Sequence, residues 1–452
     1  MTLTNFTTSR DRAHWALASL FCAALLSAPA LWNGFPLLQW DTGGYLARWH
    51  EGTLVPSRAV TYGLVLNAGS WWNFWPVVIL QSALTVWVIA IVLRVHGLAR
   101  PSILAGTVAL LSLVSTLPWL TAILLTDIFC GFGVLALYLI MVRRDRLARG
   151  ERTALGLLVA VAASTHSATL AVLGGLAIVA CLVWLARRTA MPTNRLRAGL
   201  FAVGLGVLLV PLGNVVVAGQ LAWTPGGFAL SFGRMLQDGI VNKYLDEHCP
   251  DPRFTLCAYK DQLPRDADEW FWGSDLFDRL GRFRGLGPEM KTIAVEAIKA
   301  YPLLQMQTAL TAAGRQLINA RTGEGVRNDI WHTYAIIEKY MPSAVPALNA
   351  ARQQHGDISF TAINRLHWPV GLIAMILLPA IVFGLRSAAY RETREFAAVI
   401  ALAILGNAVV CGVLSNPHDR YGARMVWLAV FAVIVAGLQI VKELRSGSLG
   451  TA

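Results

Sequence analysis

Apolar runs close to the length that crosses a bilayer recur along this chain, and they constrain its fold more than any other feature. A transmembrane helix needs about 20 mostly apolar residues. Ten runs approach that length, near 14–35, 74–94, 102–123, 126–142, 153–165, 168–186, 198–218, 367–386, 396–414 and 424–441. Of the 452 residues 56% are hydrophobic and only 14% charged, a balance no soluble domain of this size requires. The expected fold is therefore an all-α polytopic membrane protein. It divides into an N-terminal transmembrane module over 1–218, an outer segment over 219–366, and a C-terminal transmembrane module over 367–452. The arm at 153–165 is short for a span and reads as a re-entrant or broken helix, which is tolerated where backbone lines a protein cavity.

Basic residues orient the spans. Arg143, Arg144, Arg146, Arg149 and Arg152 share one short connection, and Arg187, Arg188, Arg195 and Arg197 another. Arg386, Arg391 and Arg394 fill a third, while Lys442 and Arg445 follow the last span. The positive-inside rule places these, and both termini, in the cytoplasm. The formal charge of +12 then reads as loop bias, and nucleic acid is not an expected partner. Arg10, Arg12, the apolar run from Trp15 and Ala28-Pro29-Ala30 resemble a cleavable signal. Apolar residues continue to Leu38, however, and the later topology needs this span, so an uncleaved first helix is expected.

The opposite side receives the 36–73 loop, the turns at Thr126-Asp127 and Thr165-His166-Ser167, the 219–366 segment and the 415–423 loop. Cys22, Cys130, Cys181 and Cys411 lie in apolar runs and read as small apolar residues. Cys249 and Cys257 flank a short outer loop, which suggests a disulfide in an oxidising compartment. A metal site with His248 is the other reading, but it lacks a clear fourth ligand. The outer segment carries many acids and the aromatic run Trp270-Phe271-Trp272. Its stretch from Pro288 to Ala320 reads as one or two amphipathic helices broken at Tyr301-Pro302. Whether this segment binds substrate or only caps the bundle stays open at this level.

Ionisable groups at membrane depth are costly and usually functional. Asp41 opens Asp41-Thr42-Gly43-Gly44-Tyr45, where it is either a helix cap or a general base. Asp127 follows Thr126 at the start of an apolar run and is either a cap or part of a shared cavity. Together with a phosphate, Asp41 and Asp127 would suit a divalent cation such as Mg or Mn. His166 is either an interior hydrogen-bonded residue or, when protonated, a phosphate donor. His418, Arg420, Tyr421 and Arg424 crowd the entry to the last span. Arg420 and Arg424 are four apart and share a helix face. Guanidinium suits phosphate through paired donors, and Arg58 would add a third. The alternative is snorkelling of arginine to the headgroups.

These residues resemble the motifs of the GT-C superfamily of polytopic glycosyltransferases. The resemblance lies in the early outer-loop acid Asp41 with Tyr45 after it, Arg58 with Tyr62, and the later acid Asp127. It continues in the turn Thr165-His166-Ser167, with His166 where lysine is usual, and in Asp419-Arg420-Tyr421 before the last span. It covers mainly the first 218 residues and the last fifty. It implies a GT-C-like bundle and a polyprenyl-phosphate-linked sugar as donor. The acceptor would be a cell-envelope glycan, lipid or protein, and the setting a cell inner membrane with the site facing the periplasm. The implied enzyme is a hexosyl- or pentosyltransferase. Asp41 would take the acceptor proton, Asp127 would orient the acceptor or a metal, and Arg58, Arg420, Arg424, His166 and His418 would stabilise the departing lipid phosphate. A secondary transporter is the main rival, and a polysaccharide polymerase or ligase the next. Transporters tend to show repeated halves with ionisable groups near the midplane, and neither feature is visible here.

Overall fold

In a computed structural model the described residues are 9–54, 58–187, 192–224 and 227–448. They form helices α1 (Ser9–Asn33), α2 (Trp40–Glu51), α3 (Val60–Gly69), α4 (Trp75–Val95), α5 (Pro101–Val114), α6 (Leu117–Ala122), α7 (Asp127–Val142), α8 (Arg149–Thr165), α9 (Ser167–Ala186) and α10 (Thr193–Ala218). The chain continues through α11 (Gly227–Gln237), α12 (Ile240–His248), α13 (Asp275–Arg279), α14 (Arg282–Ala300), α15 (Pro302–Ile318), α16 (Trp331–Tyr340), α17 (Val345–Asn349), α18 (Thr361–Gly384), α19 (Arg391–Leu414) and α20 (Asp419–Ser448). No β-strand occurs among the described residues, only one isolated parallel bridge between Leu37 and Ile123.

Among the described residues seven helices, α1, α4, α9, α10, α18, α19 and α20, are long and apolar enough to cross a membrane, as in a multi-pass membrane protein; α5 and α7 are apolar but shorter. The run at 102–123, expected as one span, is two helices. Ser115 is extended at φ −141°, ψ 170°, and Pro118 lies in the first turn of α6. Proline has no N–H to continue the α5 ladder but suits the start of a new helix. The expected 36–73 loop is itself largely helical. Its helix α2 stops at Gly52, which sits left-handed at φ 63° and returns its N–H to Arg48 O at 3.0 Å. Glycine reaches that conformation without the Cβ penalty.

Two clusters of polar side chains occupy opposite ends of the same helices. At one end Arg94 pairs with Glu151 (2.7 Å), Arg143 with Glu395 (2.8 Å), Arg146 with Glu392, and Arg195 with Asp145 (3.1 Å). At the other end lie the starts of α2, α7 and α20. The chain between these ends is tightly packed. Gly131 of α7 leaves room for the Trp427 ring of α20, where a Cβ would stand 2.5 Å from a ring carbon.

Residues 219–366 split between two cores. Helices α11, α12 and α14 enclose a satellite core around Phe232, Tyr244, Trp270, Phe277 and Met290. Cys249 and Cys257 are joined by a disulfide at its edge, with Cα atoms 5.5 Å apart, so the thiolate metal reading with His248 is set aside. Helix α14 ends before Tyr301 and α15 begins at Pro302. Later residues of the segment, including Val326, Ile330, Ile337 and Leu348, belong to the main core instead.

Candidate functional site

Asp41 and Asp127 are brought together by backbone. Leu37 donates its N–H to Ala122 O at 3.0 Å, and Leu124 donates to Leu37 O at 2.9 Å. The α1–α2 connection is thereby tied to the α6–α7 connection. Thr42 adds its hydroxyl to Leu124 O at 2.9 Å. Gln353 fixes the same stretch from the far side, accepting from Leu38 N at 3.0 Å and donating to Leu38 O at 2.8 Å. Thr333 shares its one hydroxyl proton between the carbonyls of Gln39 and Trp40 and accepts from Gly43 N at 3.1 Å. The contact is so close that a Cβ on Gly43 would lie 2.7 Å from Thr333 Cα.

The start of α20 is held as firmly. Gln316 donates to His418 O at 2.8 Å and accepts from His418 N at 3.0 Å. Asp419 accepts from Arg321 N at 2.9 Å, and Thr116 donates to Ala423 O at 2.7 Å. This sets Arg420 and Arg424 on the face that meets the two carboxylates, as their spacing predicts.

Neither acid is a helix cap. Gln39 caps α2, accepting from Asp41 N at 3.0 Å, while the Asp41 carboxylate turns to two guanidiniums. One oxygen pairs with Arg58 and the other with Arg420 Nη1 at 2.9 Å. Asp127 is buried, with Arg420 Nε at 3.6 Å and Arg424 Nη1 at 3.7 Å. Arg424 is fully buried and gives two further donors to Asn407 Oδ1, at 3.0 and 2.7 Å. Its Nη1 has no hydrogen-bond partner. Snorkelling therefore does not describe these arginines, since both point inward.

Burial raises the Asp41 pKa, but Arg58 and Arg420 outweigh it and bring the carboxyl down to about 2. His166 caps α9, accepting from Ala168 N through Nδ1 at 3.2 Å. Burial, with Arg424, Arg420 and Arg58 nearby, holds its pKa well below the usual value, so it is a neutral imidazole with Nε2 left to donate. Tyr45 is buried under the Arg58 guanidinium, 5.8 Å from ring centre, and meets Tyr62 edge-on at 5.5 Å. Tyr421 carries Arg420 and Arg424 over its ring at 5.0 and 5.6 Å.

His418 stands at the rim rather than in the cluster. Its Nδ1 lies 2.9 Å from Glu324 Oε1 and its Nε2 3.2 Å from Asp268 Oδ2. Glu324 also accepts from Arg420 N at 2.6 Å. Sequence reasoning missed Glu324, Asp268, Asn407 and Gln39. Glu324 left a trace in Gly323-Glu324-Gly325, because both glycines are left-handed, at φ 95° and 80°. Cys249 and Cys257 belong to the satellite core and touch none of this.

A narrow cleft is lined by Trp119, Leu120, Ile123 and Leu125 together with the polar side chains of Gln39, Thr116, Asp127, Glu324 and Arg420. Three guanidiniums face Asp41 and Asp127 here, with the Glu324 carboxylate beside Arg420, and one buried arginine nitrogen, Arg424 Nη1, makes no hydrogen bond. A divalent cation does not fit the cluster as it stands: Asp41 has its oxygens on Arg58 and Arg420, and Asp127 faces Arg420 and Arg424. Among the described residues no three His, Cys, Asp or Glu side chains gather as a metal site. The arginines suit an anion entering from the cleft, beside a carboxylate able to take a proton once freed. Compared with known protein families, curated proteins and solved structures, this chain matches none.

Proposed function

We propose that this chain is a GT-C-like membrane glycosyltransferase that moves a sugar from a polyprenyl phosphate to an acceptor hydroxyl. On this reading the helices cross the membrane ten times, with α5 and α6 together, α7 and α8 each counted as spans. The arginine-rich end and both termini face the cytoplasm, and the Asp41 end faces the periplasm of a cell inner membrane. The observation that carries the reading is the buried cluster itself. Two carboxylates meet three arginines, one with a buried nitrogen that makes no hydrogen bond, beside a cleft that Asp127 and Arg420 help to line.

The chemistry follows from the residue types. Asp41 accepts the proton of the acceptor hydroxyl as its oxygen bonds to the anomeric carbon. The bond from that carbon to the phosphate oxygen breaks with inversion, and the electron pair leaves with the polyprenyl phosphate. Arg58, Arg420 and Arg424 stand ready for the charge that develops there, with His166 Nε2 as a neutral donor; preorganised donors of this kind often supply most of an enzyme's rate enhancement. Asp127 orients Arg420 and Arg424. A transporter needs no such convergence on one end of the bundle, and no observation here favours it.

The test is the lipid-linked glycan profile of cells carrying Asp41→Asn, against wild type and a deletion at matched protein level. Asp41→Asn should reproduce the deletion's defect, and the mass difference names the sugar transferred. A wild-type profile in the variant refutes the assignment.

A further inference from the structure

We propose that Arg58 and Arg420 hold Asp41 inactive until the donor's phosphate takes those two guanidiniums, so that donor must bind before an acceptor can be activated. The inference rests on the glycosyltransferase reading and adds an order of events to it.

Geometry supports it first. Each Asp41 oxygen is committed to a different arginine, from different parts of the chain, and the three side chains are only 13–17% exposed. A carboxylate so engaged has each oxygen already bonded to a cation, which lowers its power to take a proton from an acceptor hydroxyl. Its low pKa agrees: a base brought to about 2 is far from the operating pH at which proton transfer works best.

One of these two guanidiniums, Arg420, is open to an entering phosphate from the cleft, and Arg58 lies across Asp41 from it. Arg420 lines the cleft, and the Arg424 Nη1 donor beside Asp127 is buried without a hydrogen bond. A sugar phosphodiester brings one negative charge and two free oxygens, a match for paired guanidinium donors. Phosphate and Asp41 therefore compete for Arg58 and Arg420. When phosphate wins, the carboxylate loses its two cations, gains a neighbouring negative charge and becomes a stronger base. The device also keeps the base away from water when no donor is present.

The competition is testable by binding alone. The probe is radiolabelled polyprenyl monophosphate, the leaving group itself, bound to full-length protein in nanodiscs, with the phosphate-free polyprenol as blank. Asp41→Asn removes the competitor and should bind the probe about tenfold tighter, the equivalent of about 1.4 kcal/mol, while Arg420→Gln should bind at least tenfold weaker. If Arg420→Gln weakens binding but Asp41→Asn leaves it unchanged or weaker, the release mechanism is overturned and the lipid-phosphate reading stands. If neither Arg420→Gln nor Arg424→Gln weakens binding, the phosphate is not held here and both readings fall. A measurement free of substitutions covers the case in which Asp41→Asn does not fold. Adding the probe to wild-type protein should shift a carboxylate stretching band in the infrared difference spectrum, and no shift overturns the proposal.

Discussion

His418 joins the satellite core to the site, and its replacement tests how that joint depends on pH. The imidazole lies between Asp268, in the segment packed on the satellite core, and Glu324, which also holds the Arg420 N–H. Burial lowers its pKa, but the bonds to Asp268 and Glu324 overcome that and raise it from 6.5 to about 10. At 1.36 kcal/mol per unit the full shift would be worth ~5 kcal/mol. His418 is 25% exposed and Asp268 49%, so solvent screening reduces this to about 1–2 kcal/mol. A group whose pKa is raised on folding contributes fully below its unfolded value and loses the contribution as pH rises through the folded one. The joint should therefore hold at pH 6 and loosen as the pH approaches about 10. Glu324 acts in the opposite sense: burial raises its pKa, His418 lowers it by more, and its contribution is lost as pH falls below the ordinary carboxylate range. His418→Gln should speed hydrogen exchange around Trp270 and Phe271 by ~5–30-fold at pH 6–7, the factor that 1–2 kcal/mol implies. The difference from wild type, measured at matched pH, should shrink towards pH 10. Equal exchange at pH 7, or an undiminished difference at pH 10.5, would refute the linkage.

Other expectations follow from the contacts. Arg420→Gln removes a cation shared by Asp41 and Asp127 and should lower transfer by about 10²–10³, the loss typical of one preorganised donor; purified enzyme assayed with lipid-linked sugar reads this directly, and a loss below tenfold would count against the role. Gly43→Ala places a Cβ 2.7 Å from Thr333 Cα, so the α2–α16 contact must shift, at about 1–3 kcal/mol. A thermal unfolding scan in detergent should show the drop, and an unchanged midpoint would mean α16 can yield. Cys249→Ser opens a loop with a sequence separation of 8 and should cost about 2–3 kcal/mol by the loop-entropy model. The loss should appear as faster proteolysis within the satellite core, with the main core unaffected.

Much of the helical plan was legible because apolar length is a strong signal, and the long helices begin and end near the expected bounds. The exceptions have local causes. Pro118 and the extended Ser115 split one run into α5 and α6. Helix α2 lay hidden in a presumed loop because its polar and glycine residues, Asp41 to Tyr45, lack apolar periodicity. It is stabilised by the Gln39 and Gly52 caps and by Thr333, which is 290 residues away from Gly43 in sequence. Tertiary contacts of that range leave no mark in a local window.

The site divides along the same line. Asp41, Asp127, Arg420 and Arg424 stood out because charge next to apolar runs is conspicuous. What each charge does was not legible, since that depends on partners. Asp41 read equally well as cap or base, and only Gln39 occupying the cap position, with Arg58 and Arg420 on the carboxylate, separates the two. Glu324 was invisible for the opposite reason. It sits in a polar stretch beside Arg321 and Arg327, away from any apolar run, where a carboxylate attracts no notice, yet it anchors the Arg420 backbone and His418 together. Its position between two left-handed glycines is what lets the loop turn it inward. A residue that positions a charge can thus be as necessary to the cluster as the charge itself, and its signal in the sequence is the backbone freedom beside it rather than its own chemistry.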